Sequence, residues 1–584
     1  MKISVEVWNR TMHPLFTYGV CFPQRCSDQD VKVIADILIN NDKNLKDDIS
    51  VVAVYSTDNG EFDFTFGLAC FVFGIIALLI AVGTGMDYLI DYMKEQLVKS
   101  ENSYQSTDDG AINEGNEEKE SESSVLLEKS ERRRSMKVEH LAWCRFLVSF
   151  SLATNIPKLL STKSGEGAIL CLNGIRVLSL GWVILGHTMY YLLFTEPAGH
   201  LYWNNYFFSF NYFQVFGFQV IGNATLSVDS FFVLSAFLLT LLTLKKMQQY
   251  EGKIKPMFWV MFYVRRYIRL TPALLLIILF TVGIWKVLGN NTVPRWQPNL
   301  NEVEGCVHAW WANLLYINNL YTTYECLPWT WYLANDFQFY CLSPVLVVAM
   351  YKRPMLGVGL TAGLVMVSML SNFVESMVND YPAATSFLLN YESFPVYNFD
   401  GVFNALYIKP WNRFCSYGVG MILGFIVFKS PAKIKVANKL YIALGWLAYT
   451  VVSMSVLYGL YGVAQGHFPS KFMSAVYNAF GRVGWSISVS WLIWACMYGY
   501  AGFINSFLSM RLWIPLARVT YMTYLIHVLV IQYIYLTADS TFNYTPITYA
   551  VQFCSNIVLA FGFGFIAVLM LESPIVGIEK ILMG

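Results

Sequence analysis

The sequence predicts an all-α, polytopic membrane protein, in which about eleven transmembrane helices form a bundle behind a small N-terminal segment. Of its 584 residues, 56% are hydrophobic and only 14% are charged, which does not fit the surface of an ordinary soluble protein. The apolar residues occur in blocks of about twenty, the length that an α-helix needs to cross roughly 30 Å of hydrocarbon. The net charge of +1 gives no indication of a nucleic-acid partner.

The N-terminal part divides into three segments. Residues 1–62 contain alternating apolar positions and two close cysteines, and we interpret them as a small folded segment on the lumenal or exterior side. Because they lack the uninterrupted apolar stretch of a secretory signal, either the first transmembrane helix at 64–83 directs insertion or the natural start lies upstream. Residues 84–140 are expected to form an acidic cytosolic linker. From 94 onwards the linker is rich in Glu, Ser, Asp and Lys, which bury too little apolar surface to fold, so we predict disorder.

Residues 141–584 are predicted to form the main membrane domain. It would begin with a helix at the interface over 141–160, where Arg145 and Lys158 interrupt apolar sequence. Ten further spans are predicted at 173–195, 227–244, 270–288, 331–350, 355–374, 413–428, 440–463, 480–500, 518–537 and 547–570.

The charges and the glycosylation sequons agree on one orientation. If the N-terminal segment faces the lumen or the exterior, the loops assigned to the cytosol carry an excess of lysine and arginine, as the positive-inside rule requires. The same orientation places four sequons on the lumenal side, where glycosylation occurs, at Asn9, Asn223, Asn290 and Asn543. We therefore predict a multi-pass protein of the endoplasmic reticulum or plasma membrane with a cytosolic C-terminus.

The eleven cysteines indicate neither a dense disulfide framework nor a zinc site. No CxxC pair recurs with finger spacing, so no metal is expected. Cys306 and Cys326 flank a predicted lumenal segment. In the oxidising compartment they would close it as a disulfide, and the alternative is two unpaired loop thiols.

Arg176 and His187 are ionisable residues in the otherwise apolar stretch NGIRVLSLGWVILGHTMYYLLF. Their separation is about three helical turns, or roughly 16 Å, so they would lie on nearly the same helix face at different depths. An ionisable side chain within a membrane is energetically unfavourable and is therefore a functional candidate. A neutral His187 can act as a base. The structural alternative is a snorkelling arginine with a hydrogen-bonded core histidine.

Asp229 lies near the start of the next span, SVDSFFVLSAFLLTLL. A carboxylate there could orient His187 and stabilise its charged form. Alternatively, Ser227 or Asp229 caps the N-terminus of the helix.

Three arginines precede the following span in FYVRRYIRLTPALLLI, at Arg265, Arg266 and Arg269. Arg266 and Arg269 are three residues apart and share a helix face, which provides a fork for phosphate oxygens. The alternative is topology alone, because arginines at cytosolic helix ends set orientation.

The segment WTWYLAND places two indoles, Trp329 and Trp331, before a buried amide and carboxylate, Asn335 and Asp336. Aromatic belts at the interface explain the tryptophans without a function. Asp336 needs a partner, and a polar pocket for an acceptor is one interpretation. Glu572, in LESPIVGIEK, is either a helix terminator beside a proline or a site residue.

Four of these motifs, taken in order, resemble the acyltransferase 3 superfamily: GIR with ten residues between the Arg and a His, VDSFFVLSAFLL, RRYIRLTP, and TYMTYLIH near the C-terminus. The segments CVHAWWANLLYINNLY, CLPWTWYLANDFQFY and ESPIVGIEK, with the N-terminal GVCFPQRCSDQDV, resemble its animal branch, the nose-resistant-to-fluoxetine and drop-dead family. The resemblance extends from about Tyr18 to Lys580.

The resemblance implies one N-terminal helix followed by a ten-helix acyltransferase domain. Such a domain takes an acyl group from a cytosolic acyl-coenzyme A and passes it to a lipid, sugar or small-molecule acceptor in or beyond the membrane. By motif, Arg266 and Arg269 match the family's donor-binding arginines, beside Arg265.

The resemblance also assigns the chemistry. Arg176 and His187 match the family's essential pair, and Asp229 matches its acidic position. His187 would deprotonate a hydroxyl or amine for attack on the thioester while Asp229 holds its tautomer. His527, in the late YLxH motif, is expected either on the acceptor side or as a packed histidine.

Two other classes of function remain open on the sequence. A transporter, or a lipid or drug carrier, would use the same scaffold and the same intramembrane charges without chemistry. A receptor or chaperone would act through the N-terminal segment and the linker.

Overall fold

A computed structural model describes residues 2–9, 14–21 and 49–56 of the N-terminal segment, together with 62–108, 142–165, 167–193, 210–288, 300–321, 323–383, 399–430, 439–537 and 543–583. The helices are α1 (Phe64–Asp108), α2 (Ala142–Val148), α3 (Leu152–Leu160), α4 (Cys171–Leu193), α5 (Leu226–Gln249), α6 (Pro256–Phe280), α7 (Leu300–Leu314), α8 (Trp331–Lys352), α9 (Pro354–Asn379), α10 (Pro410–Lys429), α11 (Lys439–Tyr458), α12 (Lys471–Met497), α13 (Gly502–Leu508), α14 (Trp513–Leu536), α15 (Pro546–Ala567) and α16 (Ser573–Met583). Short π-helical turns lie at Thr281–Trp285, Phe403–Tyr407 and Val568–Glu572.

The N-terminal segment contains a three-stranded antiparallel sheet. Its strands are β1 (Lys2–Asn9), β2 (Pro14–Cys21) and β3 (Ile49–Ser56). The order is β2-β1-β3, and Val5 of β1 is opposite Tyr18 on one side and Val54 on the other. Alternating apolar sequence favours strands. The predicted all-α class therefore holds for the described membrane part but not for this segment.

A helix coincides with each of the eleven predicted spans. By length and apolar composition, nine helices in the described part of the chain can cross a membrane, or ten if α12 and α13, which meet at a bend of 92°, form one span. The 23-residue helix α4 is not among them, because Asn173, Arg176 and His187 make it less apolar. The chain is thus a multi-pass membrane protein, and the count of eleven stays a prediction.

Helix α1 continues from its apolar span into the predicted linker. It ends at Asp108, so the prediction of disorder is wrong for 94–108. The sequence there is rich in good helix formers, and Lys99 forms an i,i+4 salt bridge of 2.8 Å with Glu95. Residues 109–140 lie outside the described part.

The predicted interfacial helix is divided into α2 and α3. Asp87 of α1 accepts hydrogen bonds from the hydroxyls of Ser151, at 2.6 Å, and Thr154, at 2.5 Å. Ser151 also caps α3 by accepting from the Thr154 amide. This carboxylate therefore fixes the start of α3 to α1.

Helices α4 and α5 occupy the centre of the bundle. α4 contacts α5, α14 and α15, while α5 contacts α8, α10 and α12. The backbones of α5 and α10 are especially close: a Cβ added at Gly420 would lie 2.5 Å from the Val233 carbonyl oxygen, and one at Gly424 would lie 2.9 Å from that of Phe237. Small residues at membrane-helix interfaces permit such an approach.

The structure confirms the predicted disulfide between Cys306 of α7 and Cys326, with an S–S distance of 2.06 Å. The carbonyl of Cys326 accepts a hydrogen bond of 2.7 Å from the amide of Asn313, so the bridge is also anchored to the end of α7. The bridge holds the segment that leads into α8 against α7.

The four predicted glycosylation sites differ in accessibility. Asn543 is exposed. Asn223 is only 4% exposed and donates its side-chain amide to the Leu457 carbonyl at 2.8 Å, so the folded chain buries this sequon, and its glycosylation stays a prediction. The side chains of Asn9 and Asn290 lie outside the described part.

Candidate active site

A pair of imidazoles lies inside the bundle, where α4 meets α14. Nδ1 of His187 is 2.7 Å from Nε2 of His527, and the two rings stack with centroids 5.0 Å apart. The ring of Tyr191 meets His187 edge-on at 5.8 Å. His527 is fully buried and His187 is half-buried, so the pair has one closed side and one open side.

The hydrogen bonds of this pair determine where its protons lie. Nδ1 of His527 is 2.7 Å from the carbonyl oxygen of Tyr524, which can only accept, so Nδ1 carries hydrogen. In a neutral ring Nε2 of His527 is then an acceptor, and Nδ1 of His187 must donate to it. The lone pair of His187 is therefore on Nε2, an atom with no hydrogen-bond partner among the described residues.

Asp229 is not the partner that the sequence predicted for His187. Its carboxylate oxygens accept from Nη1 of Arg413, at 3.0 and 3.1 Å, and one of them also accepts from the Ser416 hydroxyl at 2.8 Å. Asp229 and Arg413 are each 1% exposed. The orienting position beside His187 belongs instead to His527, because α14 packs on the His187 face of α4 and α5 directs Asp229 towards α10.

Two of the three clustered arginines form ion pairs. Arg266 bonds to the buried carboxylate of Asp336 and stacks over the Tyr340 ring at 4.2 Å. Arg269 lies 3.8 Å from Glu572, and its side chain remains 61% exposed. Arg265 is exposed. Glu572 thus lies beside one of the predicted donor-binding arginines, and its role as a site residue stays a prediction.

Arg176 is a half-buried guanidinium without a hydrogen-bond partner among the described residues. It interacts electrostatically with Arg269 and with the Tyr332 hydroxyl, and Tyr332 in turn interacts with Arg266. The structure therefore brings the predicted arginines into one basic region, about 16 Å from His187 along α4. An unpaired guanidinium in a protein interior favours the binding of an anion.

The residues predicted on the acceptor side hold α8 in place. The indole of Trp329 donates to the Leu525 carbonyl at 3.1 Å, and its own carbonyl accepts from the Tyr524 hydroxyl at 2.5 Å. The side chain of Asn335 donates to Ile408 at 2.8 Å and accepts from Asn319 at 2.7 Å, so its amide is fully engaged.

Asp336 is bound to Arg266, and its other oxygen is buried with no partner in the described part of the chain. Tyr524 therefore links this segment to the imidazole pair: its hydroxyl bonds to Trp329 and its carbonyl bonds to His527. An acceptor-binding role for these residues stays a prediction.

Sequence reasoning missed Arg413 and the Tyr524 carbonyl. Arg413 had a visible signal, because it is a charged residue in the apolar span 413–428 and needs a counter-ion such as Asp229. The Tyr524 carbonyl had none, since a backbone group carries no sequence signature. In the described part of the chain, no group of three or more His, Cys, Asp or Glu side chains is placed to hold a metal ion.

Comparison with known proteins places this geometry in a family context. A family model described as an acyltransferase domain matches residues 169–569. Nose resistant to fluoxetine protein 6 of Caenorhabditis elegans is 29% identical over 98% of this chain and 67% of its own length.

More distant relatives are also similar over part of the chain. Regulator of hypoxia-inducible factor 1 of C. elegans is 24% identical over 73% of this chain and 82% of its own length. A Staphylococcus aureus protein named "Putative O-acetyltransferase" is 30% identical over 23% of this chain and 21% of its own length. No solved structure matches. The matches confirm the resemblance that the motifs indicated.

Proposed function

The chain belongs to the acyltransferase 3 family, and on this premise we propose that it transfers an acyl group from a cytosolic acyl-coenzyme A to a hydroxyl or amine of a lipid, sugar or small-molecule acceptor. The observation that carries the proposal is the hydrogen-bonded chain from His187 through His527 to the Tyr524 carbonyl. It leaves the lone pair on Nε2 of His187 free to take a proton.

Arg176 and Arg269 are suited to the phosphates of the donor. Arg176 lacks a protein partner among the described residues, and the Arg269 side chain is 61% exposed with its carboxylate neighbour 3.8 Å away. Both guanidiniums can therefore turn to phosphate oxygens, which they match in charge and geometry. Arg266 is held by Asp336, so its guanidinium is less free to bond to the donor. From this region an extended pantetheine arm would reach the level of His187.

The reaction then follows from the tautomer of His187. Its Nε2 takes the proton of the acceptor hydroxyl while the oxygen attacks the thioester carbonyl, and a carbon–oxygen bond forms. The carbon–sulfur bond breaks next. The departing thiolate takes the proton from His187, which restores the neutral pair. An amine acceptor would react in the same way.

His527 acts as a positioning residue in this scheme. It fixes the tautomer of His187 and, through its bond to the Tyr524 carbonyl, disperses the charge of the transient imidazolium. This is the task that sequence reasoning gave to Asp229.

The test is transfer of radiolabel from acyl-coenzyme A by purified protein in nanodiscs supplied with membrane extract. His187→Ala should lower the rate of product formation by about 10²–10⁴-fold. His527→Ala should lower kcat by about 10–100-fold, leave KM for the donor unchanged and shift the pH profile, which a purely structural residue would not do. His467→Ala is the matched control, because His467 is exposed.

Full activity of the His187→Ala protein would overturn the proposal. Movement of intact labelled donor across the membrane, without a labelled product, would instead identify a carrier.

A further inference from the structure

A second polar cluster lies where α9, α10 and α12 meet, outside the histidine pair. We propose that this cluster, formed by Arg413, Arg482, Asn372 and Asn412, binds an anionic group of the acceptor. The acceptor would then be a hydroxyl- or amine-bearing molecule that carries a phosphate or carboxylate. This inference rests on the proposed acyl transfer and names its substrate class.

The cluster has more positive than negative charge. Arg413 is paired with Asp229, whereas Arg482 donates to two neutral oxygens, Oδ1 of Asn372 at 2.9 Å and the carbonyl of Asn412 at 3.2 Å. Arg482 interacts electrostatically with both Arg413 and Asp229. Two guanidiniums therefore share one carboxylate within the bundle.

The neighbouring acid does not neutralise this excess. Glu375 accepts hydrogen bonds from the indole of Trp411, at 3.1 Å, and from the amide of Asn412, at 2.9 Å, and its charge acts on Lys409. Glu325 acts on Lys409 as well, whereas Asp229 is the carboxylate among the groups that act on Arg482. One positive charge remains for an anion.

Unpartnered polar atoms indicate where the anion would lie. Within the described part of the chain, Nη2 of Arg413 is buried without a hydrogen-bond partner, and this side chain is only 1% exposed. Oδ1 of Asn412, the preceding residue, is also buried and has no partner among the residues that the structure describes. An unsatisfied buried guanidinium N–H is unfavourable, and an anion oxygen between Arg413 and Arg482 would satisfy it. A hydroxyl of the same ligand would satisfy the amide oxygen.

The cluster and the imidazole pair lie at similar depths on elements connected by a contact between α4 and α12. The rings of Trp182 and Trp485 lie 5.3 Å apart and join α4 to α12, and the Trp485 indole donates to the Ser230 hydroxyl at 2.9 Å. The two helices run antiparallel, since Cys171 at the start of α4 bonds to Cys496 near the end of α12.

Arg482 and His187 therefore lie on the same side of this tryptophan contact. Arg482 is displaced from it by roughly 4.5 Å along its helix axis and His187 by roughly 7.5 Å. An acceptor whose anion lies at Arg482 would therefore hold its hydroxyl at about the depth of His187 in the bundle.

The experiment measures binding in the turnover-deficient His187→Ala background, in phosphatidylcholine nanodiscs, through the thermal unfolding midpoint. The probes are phosphatidylinositol, inositol monophosphate and glucosylceramide, which offer hydroxyls on an anionic lipid, on a soluble anion and on a neutral lipid. A ligand that binds the folded state raises the midpoint. We expect a rise with at least one anionic probe and none with glucosylceramide, and the responding probe shows whether the source is lipid or soluble.

Substitution of Arg482 tests the site itself. Arg482→Gln should weaken binding of the anionic probe by at least about tenfold, and Arg482→Lys, which keeps the charge, should bind at an intermediate strength. The control Arg511→Gln removes an exposed arginine and should bind like the parent.

Three results would overturn the inference: no response to either anionic probe, equal response to the neutral one, or unchanged binding by Arg482→Gln. If the protein with His187 intact binds the anionic probe but transfers no acyl group, the proposed function is removed and the anion site is retained. If the active protein acylates neutral acceptors at a rate that Arg482→Gln does not change, the anion site is removed and the proposed function stands.

Discussion

Arg413 presents one guanidinium nitrogen to both carboxylate oxygens of Asp229, at 3.0 and 3.1 Å, near the start of both α5 and α10. Both side chains are 1% exposed. Asp229, the acidic residue of the VDSFF motif, therefore connects α5 to α10, which begins about 180 residues later. This contact holds the two helices together.

This salt bridge predicts the stability of the corresponding variants. Asp229→Ala leaves a buried guanidinium without its carboxylate and should destabilise the protein by about 3–5 kcal/mol, whereas the double variant Asp229→Leu with Arg413→Met should lose less. Unfolding midpoints in detergent would measure both. A fully stable Asp229→Ala protein that has lost turnover would show that the carboxylate serves the chemistry instead.

Arg176 and Arg266 should respond differently to substitution. Arg176→Ala removes a guanidinium without a protein partner among the described residues, so KM for the acyl donor should rise by about 10–100-fold with little change in stability. Arg266→Ala leaves Asp336, with its side chain 6% exposed, unpaired, and should cost about 3–5 kcal/mol of stability. Donor kinetics and unfolding would be measured in parallel, with exposed Arg265→Ala as control. Equal destabilisation by both variants would contradict this assignment.

The disulfide between Cys306 and Cys326 should stabilise the fold. Its cysteines are 20 residues apart, and a loop of this size corresponds to about 3 kcal/mol in the chain-entropy view. Cys306→Ser should lower the unfolding midpoint accordingly, while Cys341→Ser and Cys554→Ser, which alter exposed free thiols, should not. Alkylation of Cys306 and Cys326 in unreduced, denatured protein would show that the bridge is absent.

Asp63, just before α1, forms an ion pair of 2.6 Å with Lys286, which follows the π-helical turn after α6. The stability of this junction should therefore fall at acid pH. Burial raises the pKa of Asp63, but hydrogen bonds from Lys286, Thr65 and the Phe66 amide lower it from 3.8 to about 2. Because the folded pKa is the lower one, the stabilisation is complete above the unfolded pKa and is lost as pH falls towards about 2.

Amide hydrogen exchange at the start of α1 would measure this effect between about pH 2 and pH 6. The wild type should be better protected than Asp63→Asn at the upper end, and the difference should vanish at the lower end. Asp91→Asn, at a side chain 69% exposed, is the control. A difference independent of pH would show that the carboxylate charge is not responsible.

The sequence predicts the helices of the spans well and singles out His187, because both depend on local signals. Blocks of apolar residues mark the helices, and His187 is conspicuous as an ionisable residue inside one of them. Its partner was not predictable in the same way. His527 is 340 residues away, whereas Asp229 belonged to the neighbouring span and offered a carboxylate. Proximity in sequence favoured the wrong partner because packing between distant helices leaves no local pattern.

The end of α1 shows a second limit. The composition of residues 94–108 predicts disorder, yet the structure has a helix there. Because nucleation is the unfavourable step of helix formation, an apolar helix that is already formed in the membrane can extend into polar sequence with little further cost in free energy. Side-chain pairs such as Glu95 with Lys99 then add to the intrinsic propensity. The composition of a segment indicates whether it would fold alone. It does not show whether a helix of the preceding segment extends into it.

The polarity of α4 also affects how the chain is assembled during synthesis. A nascent chain that ends shortly after Leu193 would present Arg176 and His187 to lipid, which offers them no partners. His187 acquires its imidazole neighbour only after α14 has been made, because His527 follows 340 residues later. The base that we propose is thus completed among the last steps of biogenesis, and products truncated before α14 would be inserted in part without the imidazole pair.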